Sequence, residues 1–259
     1  MKIGWIGAGR MGAPMALKAA LAGHEITIFA AEIKQETALR EAGVRIATTA
    51  AEAVREAELI CLCLFSDEQA RSVMLGDDGA LRSVPPGAIV AIHVSGSPKL
   101  AQDLADAAPP GVCILDAPFS GQEAGMLTLL VGGEKSAFEA SRNVFAAYAS
   151  RITLVGPLGS AQRVKLVNQF LYRANVAAAD AALRILEGRG LSRKDIVPAL
   201  LSCSGASWAL GTLVQGPPMA ERVRSFQPYL DVYLAAARED GLPIESLLQR
   251  GEPEPDDGC

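Results

Sequence analysis

The stretch Lys2-Ile3-Gly4-Trp5-Ile6-Gly7-Ala8-Gly9-Arg10-Met11-Gly12-Ala13-Pro14-Met15-Ala16 decides the fold. Lys2–Ile6 is a short apolar run, as a strand buried on both faces requires. Gly7-Ala8-Gly9-Arg10-Met11-Gly12 follows it and fits G-x-G-x-x-G. The first glycine permits a tight turn off the strand, and the second lets backbone approach a pyrophosphate. The third lets the next helix pack close, with its N-terminus facing the phosphates. A glycine turn alone is weak evidence. Here a strand pattern precedes it, and a helix pattern and a second strand, Glu25–Phe29, come after it. The expectation is a dinucleotide-binding unit held by Gly7, Ala8, Gly9, Arg10, Met11 and Gly12.

The same alternation continues outward. Leu59–Leu64, Ala88–Ile92 and Val112–Leu115 are apolar runs of strand length. Met11–Ala22, Ile33–Ala42, Ser66–Met74 and Pro98–Ala107 carry helix patterns between them. Strand and helix in alternation predict a parallel sheet covered on both faces. Leu127–Val131 and Arg151–Val155 read as further strands around a helix over Ser136–Ala149. After Gly156 the character changes. Ser160–Glu187 is a long helix pattern without Gly or Pro, stopped at Gly188–Gly190, and Leu191–Cys203 and Val232–Ala237 also read as helices. The predicted architecture is α/β: an N-terminal Rossmann doubly wound sheet over 1–157, then a small all-α C-terminal domain over 158–250. The tail 251–259 has two Pro, two Gly and four acids in nine positions and is expected to be disordered.

Composition closes off other classes. The 259 residues are 50% hydrophobic and 20% charged, with a formal net charge of −5. There is no basic excess to attract a phosphate backbone, so no nucleic-acid partner is expected. The alanine-rich stretch Ala174–Leu186 is interrupted by Asp180 and Arg184, so it does not span a membrane. The N-terminus lacks the continuous apolar core of a signal peptide, and a cytoplasmic protein is expected. Cys61 and Cys63 share one strand face and read as small buried hydrophobes. Cys113, Cys203 and Cys259 are isolated, and no metal-ligand spacing occurs. His24 reads as a surface residue. His93, after an apolar strand, reads as structural before it reads as lining a crevice.

Cofactor choice belongs to the end of the second strand, where an acid bonds a ribose 2′-OH and an Arg accepts a 2′-phosphate. That segment is Phe29-Ala30-Ala31-Glu32-Ile33-Lys34. Glu32 favours NAD, Arg10 and Lys34 favour NADP, and the balance falls narrowly to NAD. Ala30 joins the cofactor candidates by position.

Three segments in order extend the reading: the opening GWIGAGRMGAPMA, then Asp116-Ala117-Pro118-Phe119-Ser120-Gly121, then Gly156-Pro-Leu-Gly159 with Lys165-Leu-Val-Asn168-Gln169. Together, over residues 1 to about 245, they resemble the β-hydroxyacid dehydrogenase family. The resemblance implies an N-terminal Rossmann domain, a long interdomain helix and a helical C-terminal domain. It also implies NAD(P)-dependent oxidation of a small 3-hydroxy acid, or the reverse reduction, in a homo-oligomer (dimer or tetramer). By the same resemblance Lys165 is the catalytic lysine and Asn168 the neighbouring substrate amide. Ser120, Gly121 and Gln122 form the loop for the substrate carboxylate, and Leu64, Phe65 and Ser95 line the cofactor.

The residues make chemical sense by themselves. Lys165 and Asn168 are three apart and share a helix face with Gln162 and Gln169. The apolar flanks Val164, Leu166, Val167, Phe170 and Leu171 imply a buried lysine, and burial lowers a lysine pKa toward general acid/base use. Departures keep a second reading open. The loop after Gly121 is short, Ala161 stands where the family has glycine, and Tyr229-Leu-Asp231 follows Phe226-Gln-Pro228 without the family's lysine. The alternative is a dinucleotide-binding protein without turnover, acting as a sensor or subunit. In the C-terminal part Leu183, Ile185, Leu200, Leu201, Trp208, Leu210, Leu213 and Val214 call for a cover that a second chain would supply.

Overall fold

A computed structural model describes residues 1–214 and 230–243. The chain divides into two compact units, Met1–Lys165 and Leu166–Cys259. In the first, six strands run parallel in the order β3-β2-β1-β4-β5-β6. They are β1 (Lys2–Ala8), β2 (Glu25–Ile33), β3 (Arg45–Ile46), β4 (Leu59–Leu62), β5 (Ile89–Ile92) and β6 (Cys113–Asp116). The helices between them are α1 (Gly12–Leu21), α2 (Glu36–Glu41), α3 (Ala50–Val54), α4 (Asp67–Leu75) and α5 (Pro98–Ala107), with a 3-10 turn at Ala80–Ser83. The unit is a Rossmann fold.

Apolar side chains leave the strands on both sides. Trp5, Ile28, Cys61 and Ala91 pack on one face, beside Ala13, Ala16 and Ala19 of α1. Ile6, Ile60, Leu62, Val90 and Ile92 pack on the other, beside Ala70, Met74, Leu100 and Leu104. Small residues on α1 bring that helix close to the sheet, which is what the turn before it needs.

The rest of the unit turns the chain round. β7 (Phe119–Ser120) carries the line of β6 past the end of the parallel strands, and β8 (Leu127–Gly132) runs antiparallel to both, pairing Asp116 with Gly132 and Ser120 with Thr128. α6 (Lys135–Tyr148) then leads to β9 (Ala149–Gly156), parallel to β8 with Gly156 opposite Gly132. Because Asp116 pairs with Gly132 and Gly132 with Gly156, the chain arrives at Gly156 beside Asp116, at the carboxyl end of β6. α7 (Ser160–Glu187) therefore begins at the edge where Rossmann folds bind their ligands.

In the second unit Leu166 and Phe170 of α7 pack with Leu230, Tyr233, Ala236 and Ala237 of a helix over 230–239. Leu183 packs with Val197 of α8 (Arg193–Leu200), Leu210 of α9 (Trp208–Gly211) and Leu213. Asp180, 4% exposed, pairs with Arg184 at 2.9 Å and Arg193 at 2.7 Å, which ties α8 to α7. No strand occurs among the described residues of this unit, so the C-terminal region is helical as expected.

Some local expectations change. Ile33 begins no helix: it ends β2 opposite Ala8, the Lys34 N–H bonds the Ala8 carbonyl at 2.9 Å, and Gln35 adopts a left-handed φ of 58° that stops α2 from starting before Glu36. The sheet is not parallel throughout: β8 and β9, parallel to each other, run against β1 to β7. The short β3, α3 and β7 fall below what an apolar run reveals. Of the apolar residues expected to need a cover, Leu183, Leu210 and Leu213 are buried within their own unit, whereas Ile185, Leu201 and Trp208 are exposed. The segment 251–259 and Phe226–Tyr229 lie outside the described residues.

Candidate functional site

The glycine turn has the geometry its spacing predicts. Gly7 takes φ +99°, and a Cβ there would collide with the Cys63 carbonyl and touch Leu64. A Cβ on Gly12 would collide with the Gly7 carbonyl. Packing alone thus accounts for both glycines. Gly9 is different: a Cβ there meets no protein atom within 4 Å. Its missing side chain leaves open space at the start of α1, whose N-cap Met11 makes no side-chain cap. Open backbone before an uncapped helix N-terminus suits a pyrophosphate, so the residues present fit a dinucleotide.

Gly7, Ala8, Gly9, Arg10, Met11 and Gly12 lie along this turn at the end of β1. Leu64 and Phe65 follow β4 beside it, and Ser95, half-buried, follows β5 on the same edge. Ser66 caps α4 by accepting the Gln69 N–H at 3.3 Å, and Gln69 accepts the Phe65 N–H at 3.1 Å. This reciprocal cap fixes the Phe65 backbone and leaves its ring half exposed. Ala30 is near the end of β2, where Glu32 pairs with Lys34; both side chains are exposed.

Ser120 sits in β7, beyond the carboxyl edge. Gly121 takes φ +118° and opens the 121–126 connection into β8, with Gln122 exposed. Lys165 is only 6% exposed, and burial lowers its pKa from 10.5 to about 8. The expected cause needs one correction. Val164, Val167 and Leu171 are exposed, so they do not bury the lysine; Gln162, Leu166 and Phe170 lie on the covered side of α7. Asn168, half-buried, lies one turn on, in the second unit.

The sequence reading missed a polar junction at the start of α7. Asp116, fully buried, accepts the Gly159 N–H and the Gln162 N–H, each at 2.8 Å. The Gln162 side chain, 1% exposed, donates to the Val94 carbonyl at 2.6 Å and accepts the Gly96 N–H at 3.1 Å. An acid ending an apolar strand, and a glutamine one turn before the lysine, were the available signals.

His93 is structural. It is 2% exposed, its Nδ1–H donates to the Ala117 carbonyl at 2.7 Å, and its Nε2 accepts from the Tyr148 hydroxyl at 3.0 Å. Burial pushes its pKa down to about 4. Burial raises the Cys61 thiol far above its ordinary value, so it is an inert packing group in β4, whereas Cys63, just past the end of β4, is only half-buried against the core, its thiol raised to about 12. No group of three or more His, Cys, Asp or Glu among the described residues could hold a metal ion, and none of the described helices is long and apolar enough to cross a membrane.

Comparison with known proteins agrees with this geometry. The family described as the NAD binding domain of 6-phosphogluconate dehydrogenase matches residues 2–156. An NAD-dependent L-serine dehydrogenase of Pseudomonas aeruginosa is 31% identical over 95% of this chain and 85% of its own. A 3-hydroxyisobutyrate dehydrogenase of the same organism is 31% identical over 95% and 88%. The solved structure of Mycobacterium tuberculosis 3-hydroxyisobutyrate dehydrogenase with L-serine is 25% identical, with TM-score 0.74, and covers 98% of this chain and 89% of that one. A match over more than half the chain, and relatives similar over nearly its full length, place it: the chain belongs to the β-hydroxyacid dehydrogenase family of NAD-binding-domain oxidoreductases.

Proposed function

We propose that this protein interconverts a small 3-hydroxy acid and its semialdehyde or keto partner. The carrying observation is Lys165, buried on the first turns of α7 at the carboxyl edge, with a pKa brought down to about 8. A lysine near that value can both take and return a proton close to neutral pH. Lys165 removes the proton from the substrate hydroxyl in oxidation and returns it in reduction. Asn168 holds the substrate by hydrogen bonds. Ser120, the Gly121 backbone amide and Gln122 bind its carboxylate.

A nicotinamide dinucleotide, when bound, supplies or accepts the hydride. Gly7, Ala8, Gly9, Arg10, Met11 and Gly12 hold its pyrophosphate. Ala30 near the end of β2, and Leu64, Phe65 and Ser95 after β4 and β5, would line the rest of the dinucleotide. Glu32 at the end of β2 favours NAD narrowly over NADP. The substrate class has support in names: one relative is an L-serine dehydrogenase and a structural neighbour holds L-serine, itself a 3-hydroxy acid. The first division, 1–157, carries the cofactor, and 158–250 serves substrate binding and assembly. The working form is a cytoplasmic homo-oligomer.

The test follows NADH and NADPH absorbance against a panel of 3-hydroxy acids, including L-serine and 3-hydroxyisobutyrate, and small semialdehydes. Turnover of a panel member with at least one cofactor is expected. Tight dinucleotide binding with no turnover of any member overturns the reading and leaves the sensor or subunit in its place.

A further inference from the structure

The junction before Lys165 joins three pieces of chain distant in sequence. The Asp116 carboxylate grips the first backbone N–H groups of the α7 start, Gly159 and Gln162. Gln162 reaches the loop after β5 through both ends of its amide, to Val94 and Gly96. These four bonds lie in the buried interior, where an unmade bond is costly.

There is no slack around them. A Cβ on Gly132 of β8 would collide with Asp116 Oδ1 and lie 2.9 Å from the Pro157 carbonyl. Gly159 takes φ +87° to aim its N–H at the carboxylate, and a Cβ there would stand 3.2 Å from Pro98 at the start of α5. The segment that enters α7 is therefore clamped between the ends of β6, β8 and α5. Burial raises the Asp116 pKa, while the N–H groups of Gln162, Gly159 and Ala161 act to lower it.

Lys165 is three residues past Gln162, so it leaves the helix on the same face and one turn along. Its height above the strand ends is set by where the first turn of α7 is held. We infer that Asp116 and Gln162 are positioning residues for Lys165, fixing the first turn of α7 against the ends of β5 and β6 so that the lysine amine stands at a set place over the carboxyl edge. The inference rests on the proposed role of Lys165 as the acid/base. It goes beyond that role in giving Asp116 and Gln162 a part in catalysis without contact with substrate. A misplacement of about 1 Å in a catalytic group can cost on the order of 100-fold in rate.

The experiment compares wild type with Gln162→Met, which keeps the side chain's length and loses both amide bonds, and with Asp116→Asn. A core variant, Leu104→Ala, serves as a control for lowered stability alone. The first readout needs no substrate: reductive methylation of Lys165 by formaldehyde and cyanoborohydride, followed by peptide mass across pH. In wild type the labelling midpoint is expected near 8. In Gln162→Met and Asp116→Asn it should move up toward 10.5, and in Leu104→Ala it should stay. The second readout is steady-state kinetics, with kcat falling roughly 10- to 100-fold and KM changing less. Should Asp116→Asn fail to fold, Gln162→Met decides. An unmoved midpoint and unmoved kcat, with only Tm lowered, overturn the inference and make the junction a plain helix cap. Lys165→Ala with wild-type kcat instead overturns the acid/base reading, and the labelling midpoint still decides the positioning.

Discussion

At the residue scale Lys165 sets the chemistry and carries its cost. A pKa of about 8 in place of 10.5 means that the folded protein disfavours the charged amine by roughly 3 kcal/mol. Below pH 8 the lysine is charged in both folded and unfolded chains, and the folded state bears that cost in full. Between 8 and 10.5 the unfolded chain binds more protons, so stability rises with pH. Lys165→Met should therefore raise Tm at pH 7 by several degrees and abolish turnover. The gain in Tm should shrink toward pH 10.5. Thermal melts of both proteins across pH check this, and a lower Tm for Lys165→Met at pH 7 would contradict the buried-charge account. The same group gives the two reaction directions opposite pH limbs. Oxidation needs the neutral amine, so its kcat/KM rises through about pH 8, whereas reduction needs the ammonium and falls there.

At the element scale the first strand–turn–helix separates two kinds of glycine. Gly12→Ala places a methyl against the Gly7 carbonyl, so it should destabilise the fold by displacing α1. Gly9→Ala places its methyl in open space, so Tm should stay within a degree or two while dinucleotide affinity falls at least tenfold, about 1.4 kcal/mol. Titration of NADH fluorescence beside a melt separates the two, and unchanged affinity in Gly9→Ala would remove the pyrophosphate from this turn. Such elements were legible in the sequence because parallel strands buried on both faces read as unbroken apolar runs. The end of β2 was not legible. Whether Ile33 continues a strand or starts a helix is decided by the Ala8 carbonyl, which captures the Lys34 N–H across the sheet. Asp116 was legible as part of a motif but not as a clasp, since its partners lie 43 and 46 residues away. Burial of Lys165 was foreseen from five apolar neighbours, of which Leu166 and Phe170 are buried but Val164, Val167 and Leu171 are exposed, because these three lie on the opposite side of the helix from Gln162 and Leu166.

At the scale of the whole molecule those exposed neighbours acquire a meaning of their own. Val164, Val167 and Leu171 fall at i, i+3 and i+7 on α7 with exposures of 44%, 44% and 49%. That spacing draws one apolar stripe along a helix, the pattern of a face made for another surface. Ile185 farther along α7 is 70% exposed and Trp208 82%. Large apolar side chains this open to water gain free energy when covered, at roughly 25 cal/mol for each Å² of apolar surface removed. A second copy of the chain is the cover the family resemblance points to, and closed symmetric pairing places the same stripe on both partners. Light scattering at micromolar concentration should return a multiple of the 27.0 kDa chain mass. Val167→Lys with Leu171→Lys should lower that mass or weaken the assembly, because in a two-fold pairing each charge would be buried without a partner. A lysine in place of Ala140 or Arg151, both exposed, makes the matching control, as neither belongs to the stripe. A monomeric mass for the wild-type protein would end the assembly proposal and leave the stripe to a different surface.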